Sequence, residues 1–332
     1  MKLPSYIQIE PVGQCNLRCQ MCPIQFRRDG PPYGPLAFMP FEKFTQLVDQ
    51  FVGLKELQLQ GLGEPMMHPQ FFDMVDYTAS RGIRVTTNSN LTLLNQARAE
   101  RCVRSGLEIL HVSIDGSTPE TYERIRVRSR LEKVVRNLGL LREASLKTGL
   151  PGPRLHLVMV IMRQNLHELP DLVRFAHSWN MEEIFVQHLC HDFTEESLPA
   201  HYRPMRDFVQ SQTLLLENEE RISEYFGQAR LVAAELGITL RLPRVRPKPY
   251  LSTISGMERC DWPWRGAYIS YDGYAMPCCM ISTPDRTNFG NMFEEGVEAV
   301  WNGQTAQAFR QQLASGTPPE ICQSCSVYAG VF

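Results

Sequence analysis

The sequence of 332 residues lacks an apolar run long enough to cross a bilayer, which takes about 20 residues. Its first residues alternate like a strand, without the apolar core or the cleavage site of a signal peptide. No charge dominates, since the formal net charge is −2, whereas proteins that bind nucleic acid electrostatically carry a basic surplus. Repeats and low-complexity tracts are also missing. These absences predict a globular cytoplasmic protein that binds neither nucleic acid nor membranes.

Cysteine is the residue that stands out, with ten copies. Thiols stay reduced in the cytoplasm, so clustered cysteines there indicate metal binding or redox chemistry rather than disulfides. Three of them lie close together near the start of the sequence, and five lie after residue 259. The sequence therefore predicts two separate metal or cluster sites.

Strand-like and helix-like segments alternate through the first part of the chain. This alternation predicts an α/β fold with parallel strands and right-handed helical crossovers. Because it stops after the sixth strand, we expect a partial (β/α)6 TIM-like barrel rather than a closed barrel of eight units. The predicted strands cover residues 5–11, 56–60, 83–87, 109–114, 155–161 and 183–188.

The remaining chain differs from this alternation in two ways. Residues 191–250 read as a helical extension that ends in a proline-containing linker. Residues 251–332 contain a hairpin signal at Tyr271-Asp272-Gly273 and a final helix, which indicates a small α+β domain. A domain of this size needs a stabilising metal site or cross-link in addition to its apolar core, and its cysteines can provide one. We therefore expect domains at 1–190, 191–250 and 251–332.

Cys15, Cys19 and Cys22 share one loop after the first predicted strand. Three thiolates can hold three irons of a 4Fe-4S cubane and leave the fourth iron open for a substrate or cofactor. The spacing alone leaves open a second interpretation, a zinc knuckle whose fourth ligand lies elsewhere.

The segment CNLRCQMC resembles the cluster motif of the radical S-adenosylmethionine (SAM) superfamily, with Met21 where an aromatic residue is usual. The resemblance implies a 4Fe-4S cluster on the three cysteines, with SAM chelating the open iron. It also implies an electron donor such as flavodoxin or ferredoxin, and cleavage of SAM to a 5′-deoxyadenosyl radical.

Further motifs of that superfamily follow consecutive predicted strands, at the end where such barrels carry function. GLGEP resembles the GGE motif with Leu62 replacing its first glycine, and TNS resembles TNG with Ser89 replacing the glycine. Each motif alone is typical of a turn or helix cap, but their order along the chain favours the family. The residues for which the resemblance implies SAM contacts are Gly63, Glu64, Asn88, Ser113, Asp115 and Arg126.

The C-terminal cysteines include a Cys-x-x-Cys pair, which is compatible with structural zinc as well as with a cluster. The surrounding pattern resembles a SPASM or shortened twitch domain, with spacing similar to the twitch domains of 2-deoxy-scyllo-inosamine dehydrogenases. That resemblance implies one auxiliary 4Fe-4S cluster and leaves Cys279 outside the ligand set. The ligands it implies are Cys260, Cys278, Cys322 and Cys325.

The family resemblance implies hydrogen abstraction from a substrate, but the fate of the substrate radical is open. The first hypothesis is oxidation of a small polar molecule, such as a sugar, aminocyclitol or nucleoside of natural product biosynthesis, with the auxiliary cluster accepting an electron. The second is redox-neutral epimerisation, dehydration or decarboxylation. The third, peptide modification, is disfavoured because only fourteen residues precede Cys15, too few for a leader-binding domain. A non-enzymatic electron carrier would not need the SAM motifs.

Three residues are candidates for the catalytic step itself. Cys190, after the sixth predicted strand, is a candidate hydrogen donor, although free cysteines are usually buried packing residues. His188 at the barrel mouth is a candidate base because neutral imidazole accepts protons near physiological pH. Arg259 lies beside Cys260, together with Asp261 and Arg265, and each of these is typical of a surface residue as well.

Overall fold

The computed structural model describes residues 1–28, 34–189, 193–247 and 260–331. Its strands are β1 Tyr6–Ile9, β2 Glu56–Leu59, β3 Arg84–Ser89, β4 Ile109–Ser113, β5 Arg154–Val160, β6 Glu183–Gln187, β7 Thr239–Arg241, β8 Gly266–Ile269, β9 Tyr274–Met276 and β10 Gly290–Asn291. Its helices are α1 Phe41–Gln50, α2 Phe71–Ala79, α3 Gln96–Arg104, α4 Pro119–Ile125, α5 Leu131–Thr148, α6 Leu169–Ser178, α7 Arg203–Gln212, α8 Glu219–Leu236, α9 Trp262–Arg265, α10 Met292–Glu295, α11 Val297–Trp301, α12 Gln304–Ala314 and α13 Glu320–Gln323.

The described strands form one sheet in the order β10-β9-β8-β1-β2-β3-β4-β5-β6-β7. From β1 to β7 each strand pairs in parallel with the next along the chain, as expected for right-handed crossovers. The predicted α/β fold with a small C-terminal domain is confirmed. The parallel order also continues past the six predicted strands, because β7 joins β6 at the far edge.

The C-terminal hairpin continues the sheet on its other side. Strand β8 lies parallel to β1, and β9 and β10 follow it in antiparallel pairs. The backbone N–H of Glu10 extends the β1–β8 pairing by donating to the carbonyl of Ile269, at 2.9 Å. The C-terminal segment therefore borders directly on the strand that leads into the cysteine loop.

The two faces of the parallel strands differ in polarity. In β2, β4 and β6 every second side chain is fully buried, among them Leu57, Val112 and Ile184, and these residues belong to one large core cluster together with residues of the helices. The alternate positions are only partly buried and are mostly polar, as at Gln58, His111 and Gln187. Successive side chains of a strand point to opposite faces, so the face of the sheet opposite the large core is a mostly polar wall.

Within the described ranges, no helix is both long enough and apolar enough to span a bilayer.

Candidate active site

Two backbone hydrogen bonds hold the cysteine loop against the segment at the end of helix α4. The N–H of Arg18 donates to the carbonyl of Val127 at 3.0 Å, and the N–H of Gln20 donates to that of Ile125 at 2.9 Å. Cys19 is buried, whereas Cys15 and Cys22 are half-buried. These contacts place the three predicted ligands in a loop supported by the end of helix α4.

The GLGEP loop packs directly beneath the cysteine loop. A Cβ at Gly63 would overlap the carbonyl oxygens of Val12 and Gln14, so only glycine allows this approach. The N–H of Glu64 donates to the Gln14 carbonyl at 3.0 Å. The predicted pair of Gly63 and Glu64 therefore lies next to the predicted cluster ligands.

The Glu64 carboxylate is 3% exposed and is oriented by two donors from the end of β3. The Ser89 hydroxyl donates to its Oε1 at 2.6 Å, and the Asn90 N–H donates to its Oε2 at 2.8 Å. Burial raises the pKa of Glu64, and these hydrogen bonds oppose the increase. Ser89, which replaces the glycine of the family motif, thus orients the Glu64 carboxylate in this chain.

Asp115 and Arg126 form a buried ion pair beside the cysteine loop. Asp115 Oδ2 lies 2.7 Å from Arg126 Nε, and Asp115 Oδ1 accepts from the Val160 N–H at 2.8 Å. Burial opposes the charge of Arg126, but Asp115 and Cys19 hold its pKa above the ordinary value. Arg126 is therefore a positive charge close to the predicted cluster, and in this structure its Nε faces Asp115.

Two further predicted SAM-contact residues lie on the polar wall. Asn88, on β3, accepts at its Oδ1 from the Gln58 side-chain amide at 3.4 Å. Ser113, at the end of β4, is half-buried. The six predicted contact residues thus come from the ends of β2, β3 and β4 and from the helix that follows β4. Their role in binding SAM stays a prediction.

The residues fit the cluster that the sequence predicts. The pKa of the Cys15 thiol is raised by burial and by the neighbouring Glu64, Cys19 and Cys22, so the other two thiols both lie within electrostatic range of Cys15. No three Cys, His, Asp or Glu side chains in the described part of the chain are close enough to hold a single metal ion. A cubane is larger than one ion, and Cys15, Cys19 and Cys22 would hold it.

The second set of thiols also converges. The pKa of Cys278 is raised by burial and then by the charges of Cys279, Cys325, Cys260 and Cys322. Burial, Cys325 and Cys260 raise the pKa of Cys322 to about 12. The four predicted ligands pack in one apolar cluster with Leu313, Met280 and Tyr328. Four thiols in one apolar pocket suit a closed 4Fe-4S cluster.

Cys279, which the predicted ligand set leaves over, belongs to the same packed region. Burial raises the pKa of Tyr6, and the charge of Cys279 is the next largest contribution. Tyr6 begins β1 and donates its hydroxyl to the Gln58 side chain, which in turn contacts Asn88. A chain of hydrogen bonds thus runs along the wall from Tyr6 through Gln58 to Asn88, a predicted SAM contact.

Of the three predicted catalytic residues, the structure describes only His188. His188 is 1% exposed, and its Nε2 lies 2.7 Å from the Arg244 carbonyl oxygen, so this side chain ties the end of β6 to the segment after β7. Cys190 and Arg259 lie outside the described residues. Asp261 and Arg265 pair with each other on the surface, at 3.1 Å.

The sequence interpretation missed a pair of histidines on the polar wall. His111 of β4 and His156 of β5 are register partners, and their rings meet edge to face with centroids 5.2 Å apart. Burial, with contributions from His156 and Arg84, lowers the pKa of His111 to about 4. The alternation of polar and apolar residues along β4 and β5 is the sequence signal that could have identified both histidines.

The buried histidines make stability depend on pH. Below the ordinary pKa of 6.5, the unfolded chain binds protons that folded His111 excludes, so acid favours unfolding, increasingly as the pH approaches 4. We expect the thermal midpoint of the anaerobic protein to fall between about pH 7.5 and about pH 5.5. His111→Gln should reduce that fall, whereas His177→Gln on the exposed side of α6 should not. Equal falls in all three proteins would contradict this assignment.

Comparison with known proteins matches the chain to two families. The radical SAM superfamily matches residues 9–176, which is half of the chain, and the SPASM iron–sulfur cluster-binding domain matches residues 260–326. The second match covers all five C-terminal cysteines, including the four predicted ligands.

Two curated relatives align over nearly the whole chain. A tungsten-containing aldehyde ferredoxin oxidoreductase cofactor-modifying protein of Pyrococcus furiosus is 25% identical, covering 97% of this chain and 87% of its own length. A PqqA peptide cyclase of Granulibacter bethesdensis is 24% identical, covering 97% of this chain and 79% of its own length.

Among solved structures, Streptococcus suis SuiB shares the fold with a TM-score of 0.70 at 15% identity, covering 99% of this chain and 72% of SuiB. The structure of anSMEcpe with bound AdoMet has a TM-score of 0.62 at 15% identity, covering 98% of this chain and 87% of that chain. The chain belongs to the radical SAM superfamily and carries a C-terminal SPASM domain.

Proposed function

We propose that this protein oxidises a polar small molecule, such as a sugar, aminocyclitol or nucleoside, bound against the polar wall of its barrel. The supporting observation is the hydrogen-bonded chain from the Tyr6 hydroxyl through the Gln58 side chain to Asn88, because it places polar groups of the wall beside a predicted SAM contact. A substrate bound there would have polar groups of the protein to pair with, and buried polar groups require such partners.

The radical SAM and SPASM domains imply a 4Fe-4S cluster with SAM and an auxiliary iron–sulfur cluster. When bound, SAM and its cluster supply a 5′-deoxyadenosyl radical that abstracts hydrogen from an unactivated C–H bond. In our proposal Cys15, Cys19 and Cys22 hold that cluster, and Glu64 and Arg126 orient SAM. After hydrogen abstraction, oxidation would still require the loss of a proton and an electron from the substrate. Cys260, Cys278, Cys322 and Cys325 would hold the auxiliary cluster, which would supply an acceptor for that electron.

The auxiliary site suits electron transfer rather than substrate binding. Four thiolates close the coordination of a 4Fe-4S cluster, and burial among apolar side chains tunes its potential. In our proposal a flavodoxin or ferredoxin supplies the first electron, in a reducing compartment such as the cytoplasm. Cys190 as hydrogen donor, and His188 or Arg259 as base, stay predictions.

Peptide modification is the second candidate function. It is favoured by the likeness to the PqqA peptide cyclase over 97% of this chain. The polar wall would also accept the backbone amides of an extended peptide. The oxidative and peptide hypotheses therefore differ in substrate class and share the same radical-generating site.

The test uses reconstituted protein under anaerobic conditions, with dithionite, SAM and panels of sugars, aminocyclitols, nucleosides and peptides in deuterated buffer. Oxidation predicts a product two hydrogens lighter, with a new carbonyl and no solvent deuterium. Deuterium at an inverted carbon would instead establish epimerisation, and a crosslinked peptide would establish the second candidate. Absence of 5′-deoxyadenosine, together with a cluster EPR spectrum that SAM does not change, would refute the enzyme assignment.

A further inference from the structure

A fully buried ion pair lies behind the cysteine loop. Glu10 follows the end of β1, and Arg27 follows the short helix Pro23–Phe26 just after Cys22. Arg27 Nη1 lies 2.6 Å from Glu10 Oε1, and neither side chain is exposed. Removing two charges from water is costly unless further groups stabilise them. The further contacts of Glu10 and Arg27 therefore show which segments this ion pair stabilises.

Glu10 holds the GLGEP loop. Its Oε1 accepts from the N–H of Leu62 at 2.9 Å and from the N–H of Gly63 at 3.4 Å. A Cβ at Gly61 would overlap the Glu10 side chain, so the loop lies directly on the carboxylate. Hydrogen bonds to a charged acceptor are stronger than neutral ones. Glu10 thus orients the backbone immediately before Glu64.

Arg27 reaches the C-terminal domain. Its guanidinium carbon lies 5.1 Å from the centre of the Tyr271 ring, which is within the range of a cation–π interaction. Tyr271 belongs to the turn between β8 and β9, and its ring packs so closely on Gly13 that a Cβ there would overlap it. One continuous set of contacts therefore joins the SPASM hairpin to the loop that carries Glu64.

We propose that Tyr271, Arg27 and Glu10 are positioning residues that couple the C-terminal domain to the SAM-binding loop at residues 61–64. The proposal rests on SAM binding at that loop, as in the proposed function. Contact of the Tyr271 ring with Arg27 keeps the guanidinium on Glu10, and Glu10 keeps the loop amides in place. Coupling between sites is reciprocal, so bound SAM also stabilises the hairpin.

The test compares Tyr271→Leu with Tyr271→Phe in the reconstituted protein that carries both clusters. We expect Tyr271→Leu to weaken SAM binding by about tenfold, within the usual range of coupling between sites, as measured by titrating the change in the cluster EPR spectrum. Tyr271→Phe keeps the ring face and should bind SAM as the wild type does. Phe293→Leu removes a ring that packs on Gly273 of the same hairpin and is the matched control.

Two further measurements separate positioning from simple stability. Hydrogen exchange around residue 271 should slow when SAM is added to the wild type and should change little in Tyr271→Leu. Glu10→Gln keeps the size of the side chain but removes its charge, and should weaken SAM binding at least as much. Circular dichroism and iron content show whether each variant is folded and loaded.

The outcomes distinguish this proposal from the proposed function. If SAM leaves the wild-type EPR spectrum unchanged, SAM binding itself is refuted. If the wild type binds SAM and Tyr271→Leu binds it equally well, the coupling is refuted even when that variant melts at a lower temperature. Equal losses in Tyr271→Leu and Phe293→Leu would also overturn it, because the proposed coupling runs through the contact of the Tyr271 ring with Arg27.

Discussion

Cys19→Ala is expected to abolish formation of 5′-deoxyadenosine. Cys19 is the most buried of the three loop thiols and lies within electrostatic range of Arg126, so alanine removes one of the three predicted ligands. Iron content should fall from about eight to about four per chain, since the C-terminal 4Fe-4S site remains. Iron analysis, EPR spectroscopy and chromatography of the SAM cleavage products check this result.

The matched control for that experiment is Cys102→Ala. Cys102 is also buried, at 1% exposure, but it lies in helix α3 among core residues. Its replacement should cost about 1 kcal/mol of stability and leave iron content and SAM cleavage unchanged. Retention of SAM cleavage by Cys19→Ala would show that another residue completes the site. Loss of cluster iron in Cys102→Ala would also contradict the assignment.

Cys322→Ala is expected to stop substrate turnover while SAM is still cleaved. The thiol of Cys322 lies with those of Cys260 and Cys325, so its loss should open and destabilise the auxiliary cluster. Without an electron acceptor, product formation should fall by on the order of a hundredfold or more, about 3 kcal/mol of transition-state stabilisation. The ratio of product to 5′-deoxyadenosine, measured by mass spectrometry, is the informative quantity.

Cys279→Ala is the companion to this variant. Cys279 adjoins the four predicted ligands and also interacts with Tyr6. If the ligands are Cys260, Cys278, Cys322 and Cys325, Cys279→Ala should keep the auxiliary iron. Loss of the auxiliary iron in Cys279→Ala would instead indicate that Cys279, rather than Cys278, is the fourth ligand. Loss of SAM cleavage in a correctly folded Cys322→Ala protein would refute the division of labour between the two sites.

The relatives show why the substrate is harder to infer than the chemistry. A peptide cyclase and a cofactor-modifying protein both align with 97% of this chain, although their names indicate different targets. A fold shared by such proteins does not specify the substrate. The choice of substrate depends on the side chains that line the site, here those of the polar wall. Polar positions such as Gln58, Gln187 and His111 are therefore where specificity should be sought.

Much of the fold could be predicted because it depends on local patterns. The predicted second strand, residues 56–60, corresponds to Glu56–Leu59, and the predicted fifth, 155–161, corresponds to Arg154–Val160. Apolar alternation and turn residues specify such segments within a few positions. The radical SAM and SPASM motifs could also be read directly, because three of the predicted ligands lie within one short loop and two more form a Cys-x-x-Cys pair.

Contacts between distant segments could not be predicted in this way. The placement of β8 beside β1, the link from Arg27 to Tyr271 and the contact of His188 with Arg244 each join segments that no short pattern connects. His188 illustrates this, because the sequence places it directly after β6, whereas only the folded chain shows its ring beside the backbone carbonyl of Arg244.

The amino-acid sequence by itself therefore determined the type of chemistry: three cysteines in one loop, and a second set whose spacing matches an auxiliary cluster domain. Only the tertiary structure decided which distant side chains meet around these sites, such as Tyr6 and Gln58 on the wall and Glu10 and Arg27 behind the loop. The reason is physical. Ligand spacing is a property of neighbouring residues, whereas a buried ion pair or a shared wall exists only after distant strands have packed together.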